Sequence, residues 1–207
     1  MFTVFLLAVF LIPVIMLSAL GGLWDNLLTW INIILAGLIA TNYFEPFAIW
    51  IDSMIGTDYA WYSDLMAFWI LFAGTMGLLR AVTDTISTVR VRFRKPVEVA
   101  GSIIFAALCG WTLVCLTTFS LHLAPLAVNS FGGAFQERPE TNNMFFGTGP
   151  DFLWLSFAHR QSRPDSGPIS VDEQHIFDPQ GLFRLKYGLR RYRFEQLLGD
   201  KGKPPVE

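Results

Sequence analysis

Four apolar stretches within the first 121 residues, each near the length that crosses a bilayer, constrain this chain more than any other feature. About 20 helical residues at roughly 1.5 Å apiece cover the ~30 Å of a hydrocarbon core. Phe2 to Leu20 carries no charge at all, and further stretches run from about Leu27 to Phe44, Leu65 to Val82 and Val99 to Leu121. Lipid offers the backbone no hydrogen-bond partner, so such stretches must be helical. Charged residues make up only 15% of the 207, against about 25% in an ordinary soluble domain. The expected fold is an all-α membrane protein, a four-transmembrane-helix bundle with a polar, partly helical C-terminal tail. Residues 1–121 form the membrane domain, 122–150 a linker and 151–207 an extramembrane tail with short helices.

The first stretch resembles a secretory signal, but it lacks a basic start and its apolar run is too long, which favours a span. Pro13 is tolerable inside it where neighbouring helices re-satisfy the freed carbonyl. Gly21 and Gly22 then break the pattern, Asp25 or Asn26 can cap the second helix, and Pro46 is expected to end its regular course. Asn32 is the strongly polar residue inside the second span, and an amide there is expected to face another helix as packing glue. Arg80 and Asp84, four apart near the end of the third span, read as an ion pair on one helix face. The sharper alternative is a proton relay or gate.

Every lysine and arginine of the first 137 residues falls between Arg80 and Lys95. Val89-Arg90-Val91-Arg92-Phe93-Arg94 alternates with period two, placing Arg90, Arg92, Arg94 and Lys95 as a basic loop at the membrane surface. Positive loops stay cytoplasmic, and the connector from Glu45 to Asp64 has acids but no cation. Both termini are thereby expected on the outer side, although the turn at Gly21 shares the basic side while carrying only Asp25. Small residues four or three apart, Ala36 and Ala40, Gly74 and Gly77, Ala106 and Gly110, suggest helix-packing faces in a compact bundle.

With its four spans, a glycine turn after the first, Ala40-Thr41-Asn42-Tyr43-Phe44-Glu45-Pro46 closing the second, and a basic loop leading to a Gly/Ala-rich fourth span, the chain resembles the CvpA family. Those are small bacterial inner-membrane proteins named for colicin V production, and the likeness covers roughly residues 1 to 121. The chain departs from the family in having Gly21-Gly22-Leu23-Trp24-Asp25 where members often carry arginines. It also has Glu98-Val99-Ala100-Gly101 where an Asp-Arg pair is usual. The resemblance implies a role in toxin production or export and envelope maintenance, with no catalytic residue to transfer.

Past Leu123 no run is long enough to span. Asp151 can cap a short helix, Phe152 to Arg160, too apolar for water and expected on the membrane surface, on the bundle or against a partner helix. Phe177-Asp178-Pro179-Gln180-Gly181 reads as a turn into a helix from Leu182 to Leu198. The pairs Tyr187/Arg191 and Arg190/Phe194 suit a solvated helix with an aromatic contact face.

Signs of chemistry are few. Cys109 and Cys115 lack a metal-ligand pattern and read as small apolar fillers. His122, His159 and His175 are scattered, Ser156 with His159 has no acid at triad spacing, and Gly147-Thr148-Gly149 lacks the context of a nucleotide loop. No cofactor or metal is expected. A formal charge of -2 argues against nucleic-acid binding. The expected partners are the lipid bilayer and membrane proteins or further copies of the chain. The expectation is a non-enzymatic scaffold or accessory subunit of the bacterial inner membrane; the alternative is a small oligomeric transporter or channel.

Overall fold

The computed structural model describes residues 2–55, 60–87, 94–126, 131, 144–162, 177–178 and 181–201. Arg90, Arg92, His175 and the connector positions Asp58 and Tyr59 lie outside the described residues. Four long helices, α1 (Phe2–Leu20), α2 (Leu23–Ile55), α3 (Ala60–Ile86) and α4 (Lys95–Leu123), are each long and apolar enough to cross a membrane. Short α5 (Met144–Gly147), α6 (Pro150–Ser162) and α7 (Phe183–Lys201) follow. Among the described residues there is no strand.

The first span has the bounds that its hydropathy indicates, while the other three are longer. Helix α2 runs through Pro46 to Ile55. Hydropathy marks the part of a helix that lies in hydrocarbon, whereas the helix itself continues into the headgroup level. At its start, α2 is capped by neither Asp25 nor Asn26. The backbone N–H of Leu23 donates instead to Glu98 Oε1 of α4 at 3.0 Å, so a carboxylate distant in sequence satisfies the helix end.

In space the spans lie in the order α1, α4, α2, α3, with α4 and α2 central. Gly21-Gly22 and Ser87 share one end, the turn end, where the Trp24 indole donates to Ser87 Oγ at 2.9 Å. Phe2, the end of α2 and the start of α3 share the other, the tail end; there Phe2 stacks on Phe131. Helix α1 buries Leu6 and leaves Val4, Ile12, Ile15 and Met16 exposed, a surface suited to lipid.

Small residues let backbones approach, but not at every expected place. Ala36, Ala40 and Ala106 are fully buried, and a Cβ on Gly110 would lie 2.7 Å from the carbonyl oxygen of Phe10 on α1. Gly74 and Gly77, expected as a packing face, have open space where a Cβ would stand. Helix α3 turns Phe68 and Phe72 inward, which carries both glycines to the outer surface.

The tail does not fold apart from the bundle. Trp154 and Leu155 of α6 and Phe183 and Tyr187 of α7 belong to the same hydrophobic cluster as Phe44, Phe68 and Phe119 of the spans. Trp154 fills a socket: a Cβ on Gly37 would meet its Cη2 at 2.8 Å and Leu116 at 2.9 Å. Its indole N–H donates to Thr41 Oγ1 at 2.9 Å, which satisfies the polar edge of a buried ring.

Candidate functional site

Among the described residues, three groups of polar side chains link helices of the bundle. At the turn end Asn26 is fully buried. Its amide nitrogen donates to the Leu17 carbonyl at 3.1 Å and to the carbonyl and hydroxyl of Ser102 at 3.0 and 2.9 Å. Ser102 in turn donates to the Gly21 carbonyl at 3.0 Å. The helix-breaking turn is thereby stitched to α4 by neutral side chains beside the Glu98 carboxylate, and Asn26 serves this role rather than a cap.

Between α2 and α3 lie the polar residues that the sequence singles out. Asn32 donates to Thr83 Oγ1 at 3.2 Å. Arg80 bonds Asp84 at 3.1 Å through Nε and Thr29 Oγ1 at 3.0 Å through Nη1. The Asn32–Thr83 and Arg80–Thr29 contacts join α2 to α3. The Arg80–Asp84 pair is nonetheless partly exposed, at 42% and 60% for the two side chains.

The third group is charged, buried and spread over three helices. His122, near the end of α4, is 1% exposed, Asp151 of α6 0% and Arg191 of α7 4%. His122 Nε2 lies 3.0 Å from Asp151 Oδ2, and Nδ1 lies 2.8 Å from Arg191 Nη2. A guanidinium can only donate, so Nδ1 must be the acceptor and the ring hydrogen sits on Nε2, donating to Asp151. The imidazole is then a neutral bridge between a cation and an anion. Arg184 approaches the same Asp151 oxygen at 3.8 Å.

Burial pushes the Asp151 carboxyl up. The hydrogen bond from His122, together with the charge of Arg184, more than offsets this and holds it below its ordinary value. Both ring nitrogens of His122 are engaged in this bridge, which ties α4, α6 and α7 together.

Around the network, α7 meets the acidic connector. Lys186 pairs with Glu45 at 2.6 Å, and Arg190 with Asp64 while also lying 5.6 Å from the Trp61 ring centre. Tyr187 donates to Asp64 Oδ2 at 3.3 Å, and burial followed by the nearby Glu45 carboxylate raises its phenol. Burial lowers the Arg190 guanidinium, while Asp52 and Glu45 oppose that shift.

Helix α7 is thus not the solvated helix its i,i+4 pairs suggest: Phe183, Tyr187 and Arg191 form its buried face. Its start is held by Asp178, whose carboxylate accepts from the N–H groups of Leu182 and Phe183 at 2.7 and 3.1 Å. Asp151, expected as a cap for α6, lies inside that helix with its carboxylate turned to His122. Sequence reasoning missed this site because its parts are separated by a linker. The available signal was the spacing of Arg184, Tyr187 and Arg191 on one stripe, together with a histidine closing an apolar span.

The remaining candidates do not assemble. Ser156 is exposed, while His159 contacts the Phe177 carbonyl at 3.0 Å. Cys109 and Cys115 are buried and free. Among the described residues no group of three His, Cys, Asp or Glu is placed to hold a metal. Comparison with protein-family models, characterised proteins and solved structures returns no match.

Proposed function

We propose that the chain is a non-enzymatic membrane scaffold or accessory subunit, with its tail docked on one end of a four-span bundle. In that reading it sits in the bacterial inner membrane, with the basic loop around Arg94 and Lys95 in the cytoplasm and both termini outside. The CvpA resemblance adds a role in toxin production or export and envelope maintenance. The observation that carries the reading is the His122–Asp151–Arg191 bridge, which spends its ionisable groups on fixing α6 and α7 to the spans. A rigid platform at the membrane surface suits assembly with other membrane proteins.

Cross-linking in native membranes followed by purification tests this. A stoichiometric membrane partner should accompany the wild type and be lost when Asp151→Ala frees the tail. Reporter fusions at Arg92 and the C-terminus should report opposite sides.

A second reading, an oligomeric transporter or channel, draws on the partly exposed Arg80–Asp84 pair. Ion flux through proteoliposomes that Arg80→Leu abolishes would favour it over the scaffold.

A further inference from the structure

Beside the buried bridge, α2, α3 and α7 enclose an open groove of about 550 Å³ at the tail end. Three cations line it, Lys186, Arg190 and Arg193, against two carboxylates, Glu45 and Asp64. The ion pairs Lys186–Glu45 and Arg190–Asp64 balance one another. Arg193 has no ion pair or side-chain hydrogen bond among the described residues, so it is the cation of the lining left to meet a ligand, while Asp52 beyond the lining acts on Arg190.

The walls are apolar where they face outward. Ile49 on α2 is 70% exposed and Leu189 on α7 50%. Leu189 continues into a stripe with Leu185 and Tyr192 on the face of α7 turned away from the core, extended by Leu182 just before the helix, all exposed. Such a stripe edged by Lys186 and Arg193 is the pattern of a helix lying in a membrane interface. Its height agrees: Glu45 and Ile49 lie between Tyr43 and Trp50 on α2, both exposed, and Tyr62 is exposed on α3. Tyr and Trp with exposed rings mark the headgroup level of a span.

We propose that this groove binds one anionic phospholipid of the adjacent leaflet. The phosphodiester rests on Arg193, with Lys186 sharing it, and the acyl chains run along Leu189 and Ile49. An anionic lipid supplies the counter-charge that Arg193 lacks, whereas a zwitterionic lipid brings its own ammonium beside Lys186, Arg190 and Arg193. The cations at the edge of the stripe distinguish this occupant from an apolar partner helix. The site does not depend on the scaffold reading, because a transporter with the same tail would present the same groove.

The test uses the full-length protein in mild detergent, titrated with phosphatidylglycerol or phosphatidylcholine and read by native mass spectrometry. Phosphatidylglycerol should be retained preferentially. Arg193→Gln should weaken it about fivefold, the effect of one surface cation on an anionic lipid, and leave phosphatidylcholine unchanged. Arg193→Lys keeps the charge and should restore binding. Arg193 is exposed, so neither variant disturbs the core. Equal retention of the two lipids, or undiminished phosphatidylglycerol binding by Arg193→Gln, overturns the proposal. Glycerol phosphate serves as the soluble arm: if it protects the protein from heat as well as the lipid does, the occupant is a free phosphate and the lipid assignment fails.

Discussion

The two ends of the bundle solve the same problem with different chemistry. At the turn end Asn26 and Ser102 join α1, α2 and α4 through neutral hydrogen bonds. At the tail end a carboxylate, an imidazole and a guanidinium join α4, α6 and α7. A neutral amide loses little on leaving water if its hydrogen bonds are made, whereas an ion needs a partner of opposite charge and a full set of contacts. The neutral device ties the turn between α1 and α2 to α4, beside the Glu98 carboxylate that accepts from Leu23. The charged one fastens chain separated by a linker, and it is specific because its components are costly to bury alone.

The contrast is broken most severely at Asp151. Asp151→Ala leaves the buried cations of the site uncompensated and should cost about 3–5 kcal/mol, seen as early thermal unfolding and proteolysis of the tail. Acid tests the same residue. Because the folded carboxyl is depressed, its contribution is complete above the ordinary value of 3.8 and is lost only as pH falls through the lower folded value. Tail protection should therefore persist through mild acidification; release at pH 5 to 6 would contradict the ion-bridge account.

At the other end, Asn26→Leu should cost about 1–3 kcal/mol, since it strips the partner from buried acceptors on α1 and α4. Thermal unfolding in detergent measures this, and the loss should be insensitive to salt, unlike that of a charged contact. Smaller still is Asn32→Leu: a single interhelical hydrogen bond to Thr83 should be worth about 0.6 kcal/mol. The smallest effect belongs to the exposed pair Lys186–Glu45, where Glu45→Gln should change stability by about 0.2–0.5 kcal/mol, and less at high ionic strength. A reversal of the order of Asp151 and Asn26 would mean that the tail is peripheral to the fold.

Hydropathy makes the spans legible because lipid acts on every residue of a segment at once. It places the first span at Phe2 to Leu20, and α1 has those bounds. Pro46 is what hides the length of α2: Phe47-Ala48-Ile49-Trp50-Ile51 is apolar, but a proline normally ends a helix, and α2 runs through it to Ile55. Spacing alone also misleads at Gly74 and Gly77, where the rotation of α3, set by Phe68 and Phe72, decides which face is inside. The least legible part is the tail-end bridge. His122 and Asp151 are brought together by tertiary packing, and no local period encodes that meeting. Glu98 is hidden for the same reason, since its partner Leu23 lies on another span.

The socket of Trp154 sets an order of events. Its walls come from Gly37 and Thr41 of α2 and Leu116 of α4, so it does not exist until those two spans have paired. Spans that insert singly and associate afterwards would leave the tail without a seat during the first stage of assembly. Docking of α6 then follows the pairing of α2 with α4, and protection of α6 from protease counts the molecules in which those two spans have already found one another.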